Sequence, residues 1–488
     1  MSRPPLANAH PVPQPPTHHV PVCCAAFRGL ARPYPQHRRR NRCEHSRRER
    51  PVTINEDRLV RIAAVNEPAD TVLAIHGGPP VRRTAWPTYD KGAVCIHPED
   101  ELAAMRAIRS HLYFRYDHRA YGDTECGQFE QELCAYFGSK HALAVSSGTA
   151  ALALAIMAAG IAPGSVIACP GFTFVATPSA IIMAGCRPLL VEVDENLHLD
   201  LGDLRRRWSS DIKAIMVVHM RGFASDVEAL SDFAAEMGVP LFEDAVPALG
   251  AELNGRPLGT FGLAGAFSTQ SDKSLNCGEG GFLLTDDSTL YARAVVLSGA
   301  YEGRCQRHFA DGLPPIDTDL SLPLLSLRMD EIRAALLRSE LSRLPIRLRA
   351  FRRNYQHVWD ALSGLPGIEI RRPVAPGAYL GEAFIFRVPG EDAQWFADAL
   401  CAEGIDARNL GSAHDTNVRV FWNWRFLFGT ADVAEIQARL PVTTGYLGEA
   451  VDVPLSSTLS PADCDHLVTA VRRVARAMHA APQPQALP

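Results

Sequence analysis

Between residues 139 and 244 the chain alternates short apolar runs with longer segments of helical spacing. "HALAV" (141–145), "SVIAC" (165–169), "RPLLVEV" (187–193), "IKAIMVV" (212–218) and "VPLFED" (239–244) have strand length and are rich in Val, Ile and Leu. Between them lie "TAALALAIMAAG", "TPSAIIMAG", "LGDLRRRW" and "VEALSDFAAEMG", which read as helices. Near-continuous apolar strands joined through helices are the signature of crossover units in a mostly parallel sheet buried on both faces. Two helices are expected ahead of this region: "PEDELAAMRAIRS", which starts on Pro98, and "TECGQFEQELCAYFG", which closes on Gly138. From Arg328 to Leu362 the apolar positions follow one long amphipathic helical stretch, with a break or kink at Pro345. After it, "IEIRRPV", "EAFIFRVPG", "DAQWFADALCAEG", "VDVPL" and "PADCDHLVTAVRRVARAMHA" form a smaller α/β alternation.

This pattern divides the chain into an extension (1–70), a large domain (71–345), a small C-terminal domain (346–478) and a tail (479–488). The extension contains "RPPLANAHPVPQPPTHHVP" and the basic run "HRRRNRCEHSRRERP". Too little of it is apolar to build a core, so disorder is expected, and the basic run reads as a solvated tail. Composition over the whole chain is ordinary: 47% hydrophobic and 21% charged, with a net charge of -5 that gives no global case for nucleic acid. No run of 18 or more apolar residues suggests a membrane span. The twelve cysteines are scattered without a Cys-x-x-Cys pair, the pattern of reduced thiols in a cytoplasmic protein rather than of a zinc site.

Three short stretches carry candidate chemistry. In "AVSSGTAALALA" (144–155) a strand gives way to a helix through Ser-Ser-Gly-Thr, which leaves backbone N–H groups free for an anion such as phosphate. In "VPLFEDAVPALG" Asp244 stands at the C-terminal end of an apolar strand, where open α/β sheets bind ligands, and its carboxylate could hold a proton on a heterocyclic nitrogen. In "FSTQSDKSLNCGEGG" (267–281) a single lysine, Lys273, lies among small polar residues ahead of a glycine turn, and Ser268 precedes it by five residues. A desolvated lysine has a lowered pKa and can condense with an aldehyde. Each feature alone has an ordinary explanation: a helix cap, an N-cap aspartate, a lysine reaching for solvent. Together they are the parts that hold pyridoxal 5'-phosphate: a cradle for its phosphate, a carboxylate for its ring nitrogen and an amine for its aldehyde.

From about residue 72 to 475 the chain resembles the DegT/DnrJ/EryC1/StrS family of sugar aminotransferases. The matching stretches are "LAIHGGPPVR", "FGSKHALAVSSGTAALALA", "PGFTFVATPSAIIMAG", "VHMRG", "FEDAVPALGAELNGRPLGTFG", "AFSTQSDKSLNCGEGGFLLTDD" and "LRMDEIRAALLRSELSRL". The resemblance implies the pyridoxal-phosphate-dependent transferase fold type I: a large domain with a mostly parallel central sheet flanked by helices, plus a small C-terminal α/β domain. It implies Lys273 and Asp244 as catalytic residues. It also implies Gly148, Thr149 and Ser268 at the phosphate, Phe174 stacked on the cofactor ring, and Ser326 and Arg328 reaching the site of a neighbouring subunit in a homodimer. His219 matches a histidine of the family's "VHxxG" turn, with no role assigned. Two positions depart from the family pattern: Pro247 stands where a glutamine is usual, and Ser326 where an asparagine is usual. The activity implied is transfer of an amino group from glutamate or glutamine to a keto-sugar, cyclitol or other natural-product carbonyl. The alternatives are elimination, decarboxylation or cyclisation on the same scaffold, or a non-catalytic, cofactor-binding regulator.

Overall fold

The computed structural model describes residues 72–87, 95–309, 312, 314, 316, 321–412 and 416–480. The expectations for the 1–70 extension and for 481–488 lie outside these residues. The five apolar runs are strands: β1 His141–Val145, β2 Val166–Pro170, β3 Arg187–Val191, β4 Ile212–Val218 and β5 Leu241–Asp244. A two-residue hairpin follows, β6 Glu252–Leu253 and β7 Arg256–Pro257, and then β8 Ala264–Ser268 and β9 Gly281–Thr285. Seven of them form one sheet in the order β1-β9-β8-β5-β4-β2-β3. The pairings β2/β3, β2/β4, β4/β5 and β5/β8 are parallel, whereas β9 runs antiparallel to both β8 and β1.

Both faces of this sheet are buried, and strand alternation assigns each side chain to one of two cores. Leu143, Val145, Met216, Phe242 and Ala266 join the core that contains helix Gly148–Ala158. Ala144, Ile215, Val217, Leu241 and Phe267 join the opposite core. The helix Gly148–Ala158 is apolar all round and nearly every residue is buried, as a helix sandwiched between sheet and further helices must be. The same parity decides what happens at the strand ends. Asp244 shares the face of Phe242, and Ser268 shares the face of Ala266, so both point to the side where helix Gly148–Ala158 begins. Glu243 points the other way.

The long amphipathic stretch is two helices, Glu331–Leu341 and Leu344–Leu362, with Pro345 in the first turn of the second. Proline is tolerated there because that N–H has no helical partner to lose. A second sheet, in the order β10-β11-β13-β12, is antiparallel and comprises β10 Glu369–Ile370, β11 Ala383–Arg387, β12 Arg408–Asn409 and β13 Ala450–Pro454. Helices Leu344–Leu362, Ala393–Ala402 and Pro461–Ala480 cover it, burying Tyr355, Phe384, Phe386, Phe396, Leu467 and Val471 in a common core. Trp422 and Trp424 are also buried, packed with Phe172, Phe421 and Leu440. Among the described residues no helix is long and apolar enough to cross a membrane.

The segment ahead of β1 is anchored by a buried polar cluster. Arg115 and Glu130 pair at 2.8 Å, and Glu130 also accepts from Ala144 N–H at 2.6 Å and from the Tyr121 hydroxyl at 2.5 Å. His308 is held between the hydroxyls of Tyr116 at 2.9 Å and Tyr291 at 2.8 Å. Burial, reinforced by the charges of Arg115 and Arg307, pushes the His308 pKa well below the usual imidazole range. It therefore stays neutral in the fold, donating to one tyrosine and accepting from the other. His198 is buried and shifted in the same direction, mainly by desolvation. Below pH ~6.5 the unfolded chain takes up protons that these two sites refuse, so their contribution to stability is complete above that pH and is lost as pH falls. Thermal or urea unfolding between pH 7 and 5 should show this decline. His308→Gln should flatten it by up to about 1.4 kcal/mol per pH unit.

Candidate active site

At the C-terminal ends of β4, β5 and β8, a cavity of about 340 Å³ is lined by Ser147, Gly148, Thr149, Phe174, Asp244, Ser268 and Lys273, together with Met220, Arg221, Pro247, Gln270, Glu382 and Arg419. Six of the eight residues expected at the site thus meet at one place.

Each is delivered by its own element. Asp244 is 3% exposed at the end of β5. The Thr177 hydroxyl donates to its Oδ2 at 2.6 Å and the Val246 N–H to its Oδ1 at 3.2 Å. Thr177 is itself hydrogen-bonded to Thr173 at 2.6 Å. Burial pushes the Asp244 carboxyl above the usual carboxylate range; the two hydrogen bonds and the charge of Lys273 pull it back. A cationic ring nitrogen placed in the cavity would pull it further in the same direction, and the carboxylate would keep that nitrogen protonated.

The anion cradle arises where helix Gly148–Ala158 starts against β8. Ser147 caps the helix, its Oγ accepting from Ala150 N–H at 3.1 Å. The other first-turn N–H groups have no partner within the helix, and Gly148 and Thr149 line the cavity. Glycine is required here by crowding. A Cβ on Gly148 would lie 2.9 Å from the Ser268 Cβ, and one on Gly281 would lie 2.5 Å from Ser147 C and 2.6 Å from Gly148 N. Ser268 ends β8 and is 8% exposed, so its hydroxyl faces the same helix start. Phe174, 44% exposed, stands one turn ahead of Thr177, whose N–H donates to the Phe174 carbonyl at 3.1 Å. An aromatic ring left open over a cavity offers a plane for stacking.

Lys273 is half-buried in the connection between β8 and β9. Cross-strand bonds continue the hairpin beneath it: Thr269 N–H to the Gly280 carbonyl at 2.9 Å and Ser271 N–H to the Gly278 carbonyl at 3.1 Å. The donor set matches pyridoxal phosphate part by part. N–H groups and a hydroxyl suit the phosphate, a buried carboxylate suits the ring nitrogen, an open phenyl face suits the ring and an amine suits the aldehyde.

Ser326 and Arg328 do not reach this cavity within the protomer. Arg328 donates to the Gly299 carbonyl and to Ser326 Oγ, both at 2.8 Å, and its guanidinium lies 5.5 Å from the Phe114 ring. Ser326 is exposed and left-handed, with φ 54°, a conformation that asparagine adopts more readily than serine. His219 is buried behind the site. Its Nδ1 accepts from Ser225 N–H at 3.1 Å, so Nε2 carries the proton and donates to Glu243 Oε2 at 3.0 Å. Glu243 also accepts from Gly259 and Gly262 N–H at 2.7 and 2.6 Å, and the pair braces the far face of β5. Sequence reasoning missed Thr177, whose only signal was a hydroxyl one helical turn beyond Phe174. It also missed Arg221, Glu382 and Arg419, which reach the cavity only through tertiary folding.

The family model for DegT/DnrJ/EryC1/StrS aminotransferases matches residues 117–472. The chain is 34% identical over 348 residues to the L-glutamine:scyllo-inosose aminotransferase of Streptomyces griseus, a match covering 68% of this chain and 79% of that one. Among solved structures, DesI in the presence of its TDP-sugar product aligns with a TM-score of 0.66 at 25% identity, covering 83% of this chain and 96% of that one. The E. coli GDP-4-keto-6-deoxy-D-mannose-3-dehydratase with bound hydrated PLP aligns with a TM-score of 0.63 at 20% identity, over 81% and 99% of the two chains, a likeness of fold.

Thr177→Val removes the hydroxyl that donates to a buried carboxylate. Hydrogen bonds to charged groups contribute about 1.5–3 kcal/mol, so affinity for pyridoxal phosphate should fall about 10- to 100-fold in an absorbance titration of the cofactor-free protein.

Proposed function

This chain belongs to the DegT/DnrJ/EryC1/StrS aminotransferase family, whose members are pyridoxal-phosphate-dependent, and from that premise we propose that it moves an amino group from glutamine or glutamate to the ketone of a cyclitol or sugar-like ring. The observation that carries this reading is the convergence of Asp244, Ser268, Lys273 and the Gly148–Thr149 helix start on one cavity. Its volume of about 340 Å³ falls within the range of small-molecule sites, about 300–1,000 Å³. Glutamine as donor and a cyclitol ketone as acceptor are favoured by the Streptomyces griseus relative, which is named for both.

When bound, pyridoxal phosphate supplies an aldehyde carbon and an electron sink. Gly148 and Thr149 N–H and the Ser268 hydroxyl hold the phosphate end. Asp244 holds a proton on the ring nitrogen, and Thr177 holds Asp244. Phe174 covers the ring and keeps water from one face. Lys273 Nζ would hold the aldehyde end, and as a free amine it would take the proton from the donor's α-carbon and later give one to the acceptor carbon. Pro247 lines the cavity without a side-chain donor, and that favours a second reading, elimination or decarboxylation on the same scaffold.

We also assign the protein to the cytoplasm and to a homodimer in which Ser326 and Arg328 serve the neighbouring site. Exposed Leu102, Met105 and Ile108 form one stripe of helix Pro98–Ser110, and exposed Tyr113 and Phe114 follow it toward Arg328. Such a stripe beside those two residues suits burial against a second copy.

Amine-labelled glutamine should pass its nitrogen to scyllo-inosose or a related ketone with stoichiometric keto acid. Ammonia or carbon dioxide release with no labelled product would replace transamination by the second reading. Lys273→Ala should lose at least about 10³-fold in kcat while remaining folded. Sedimentation should give a dimer, shifted toward monomer by Leu102→Glu with Ile108→Glu.

A further inference from the structure

The loop that carries Lys273 is gripped from behind by a buried ion pair, and we propose that Glu340 and Arg347 are positioning residues for the Lys273 amine. The inference rests on the reading of Lys273 given above. Residues one and three beyond the lysine are the points of attachment. Asn276 N–H donates to Glu340 Oε2 at 3.0 Å, and the Asn276 side-chain amide lies 3.4 Å from Oε1. Arg347 Nη1 donates to the Ser274 carbonyl and pairs with Glu340 Oε2 at 3.4 Å. The opposite arm of Arg347, Nη2, reaches the Cys95 carbonyl at 3.4 Å. Ser274, Leu275 and Asn276 are all buried, as are both charged partners.

The two charges come from different helices, Glu331–Leu341 and Leu344–Leu362, and so straddle the break before Pro345. On one continuous helix positions 340 and 347 would share a face two turns apart; across the break both side chains meet on the same loop. The hairpin bonds set the base of the Lys273 loop, and the ion pair sets its tip. Without the pair the tip would keep only Leu275 packing and the flanking backbone bonds from Lys273 N–H to the Gln270 carbonyl and from Cys277 N–H to the Thr269 carbonyl. An amine that must meet an aldehyde carbon and then an α-proton is sensitive to placement, since a shift of about 1 Å can cost about 100-fold in rate.

The test uses the full-length holoenzyme and the cofactor-free protein. Removing one charge strands the other in the interior, so Glu340→Met with Arg347→Met is the informative variant, because hydrophobic replacement of a whole buried pair is often tolerated. Hydrogen–deuterium exchange should accelerate in residues 270–280 and not in β4, β5 or β8. Donor KM should stay within about twofold while kcat falls about 10- to 100-fold. Glu340→Gln with Arg347→Met restores an oxygen for Asn276 N–H without stranding a charge and should recover part of the loss. The proposal is overturned if exchange in 270–280 is unchanged, if it rises throughout the sheet, or if the loop loosens with kcat intact. Failure of the underlying reading is separately visible, as full activity in Lys273→Ala.

Discussion

A carboxylate buried at the end of β5 is the constraint on which the site depends. An ionised group with 3% exposure is costly unless it is hydrogen-bonded and faces a positive charge. Asp244 has two donors, Thr177 and Val246 N–H, and it has Lys273 across the cavity. On the reading proposed above, a protonated ring nitrogen would add a second positive charge beside that of Lys273. The helix start at Gly148, Ser268 and the open ring of Phe174 line the same cavity.

Strand parity puts these groups on one side. Asp244 and Ser268 end adjacent parallel strands and share a face because Asp244 is in register with Ala266, two residues before Ser268. Their neighbours do opposite work. Glu243 and Phe267 turn to the other core, where Glu243 ties His219, Gly259 and Gly262 together. One strand thus carries a chemical residue and a structural one side by side. The family histidine of the "VHxxG" turn falls on the structural side. The antiparallel β9 brings Gly281 so close to Ser147 and Gly148 that no side chain fits. The glycine run after Lys273 therefore makes room for the start of helix Gly148–Ala158 as well as turning the chain.

Much of this was legible in the primary structure. The five apolar runs became β1 to β5 almost residue for residue; β1, β2, β4 and β5 lie inside the sheet or its cores and are nearly all buried, as continuously apolar strands should be, while β3 is a half-buried edge. The long helical stretch divided at the proline, as the missing N–H requires. Pyridoxal phosphate was readable from three motifs whose residue types have one joint use, and the aminotransferase family from a resemblance spread over seven stretches of the chain. The tryptophans at 422 and 424 pack in the core beside Phe172. Thr177 was invisible because a threonine in an apolar helix looks the same whether its hydroxyl bonds the preceding turn or a carboxylate 67 positions along the chain.

Sequence by itself determined the strand and helix alternation, and its resemblance to a known family pointed to the fold type and to Gly148, Asp244, Ser268 and Lys273, because apolar periodicity and short motifs are properties of neighbouring residues. Only the tertiary structure decided which hydroxyl holds the carboxylate, which ion pair grips the lysine loop, and that Arg221, Glu382 and Arg419 share the cavity while Ser326 and Arg328 lie away from it. Those relations join residues far apart in the chain, and they exist only once the sheet order and the two helix directions have been set by packing.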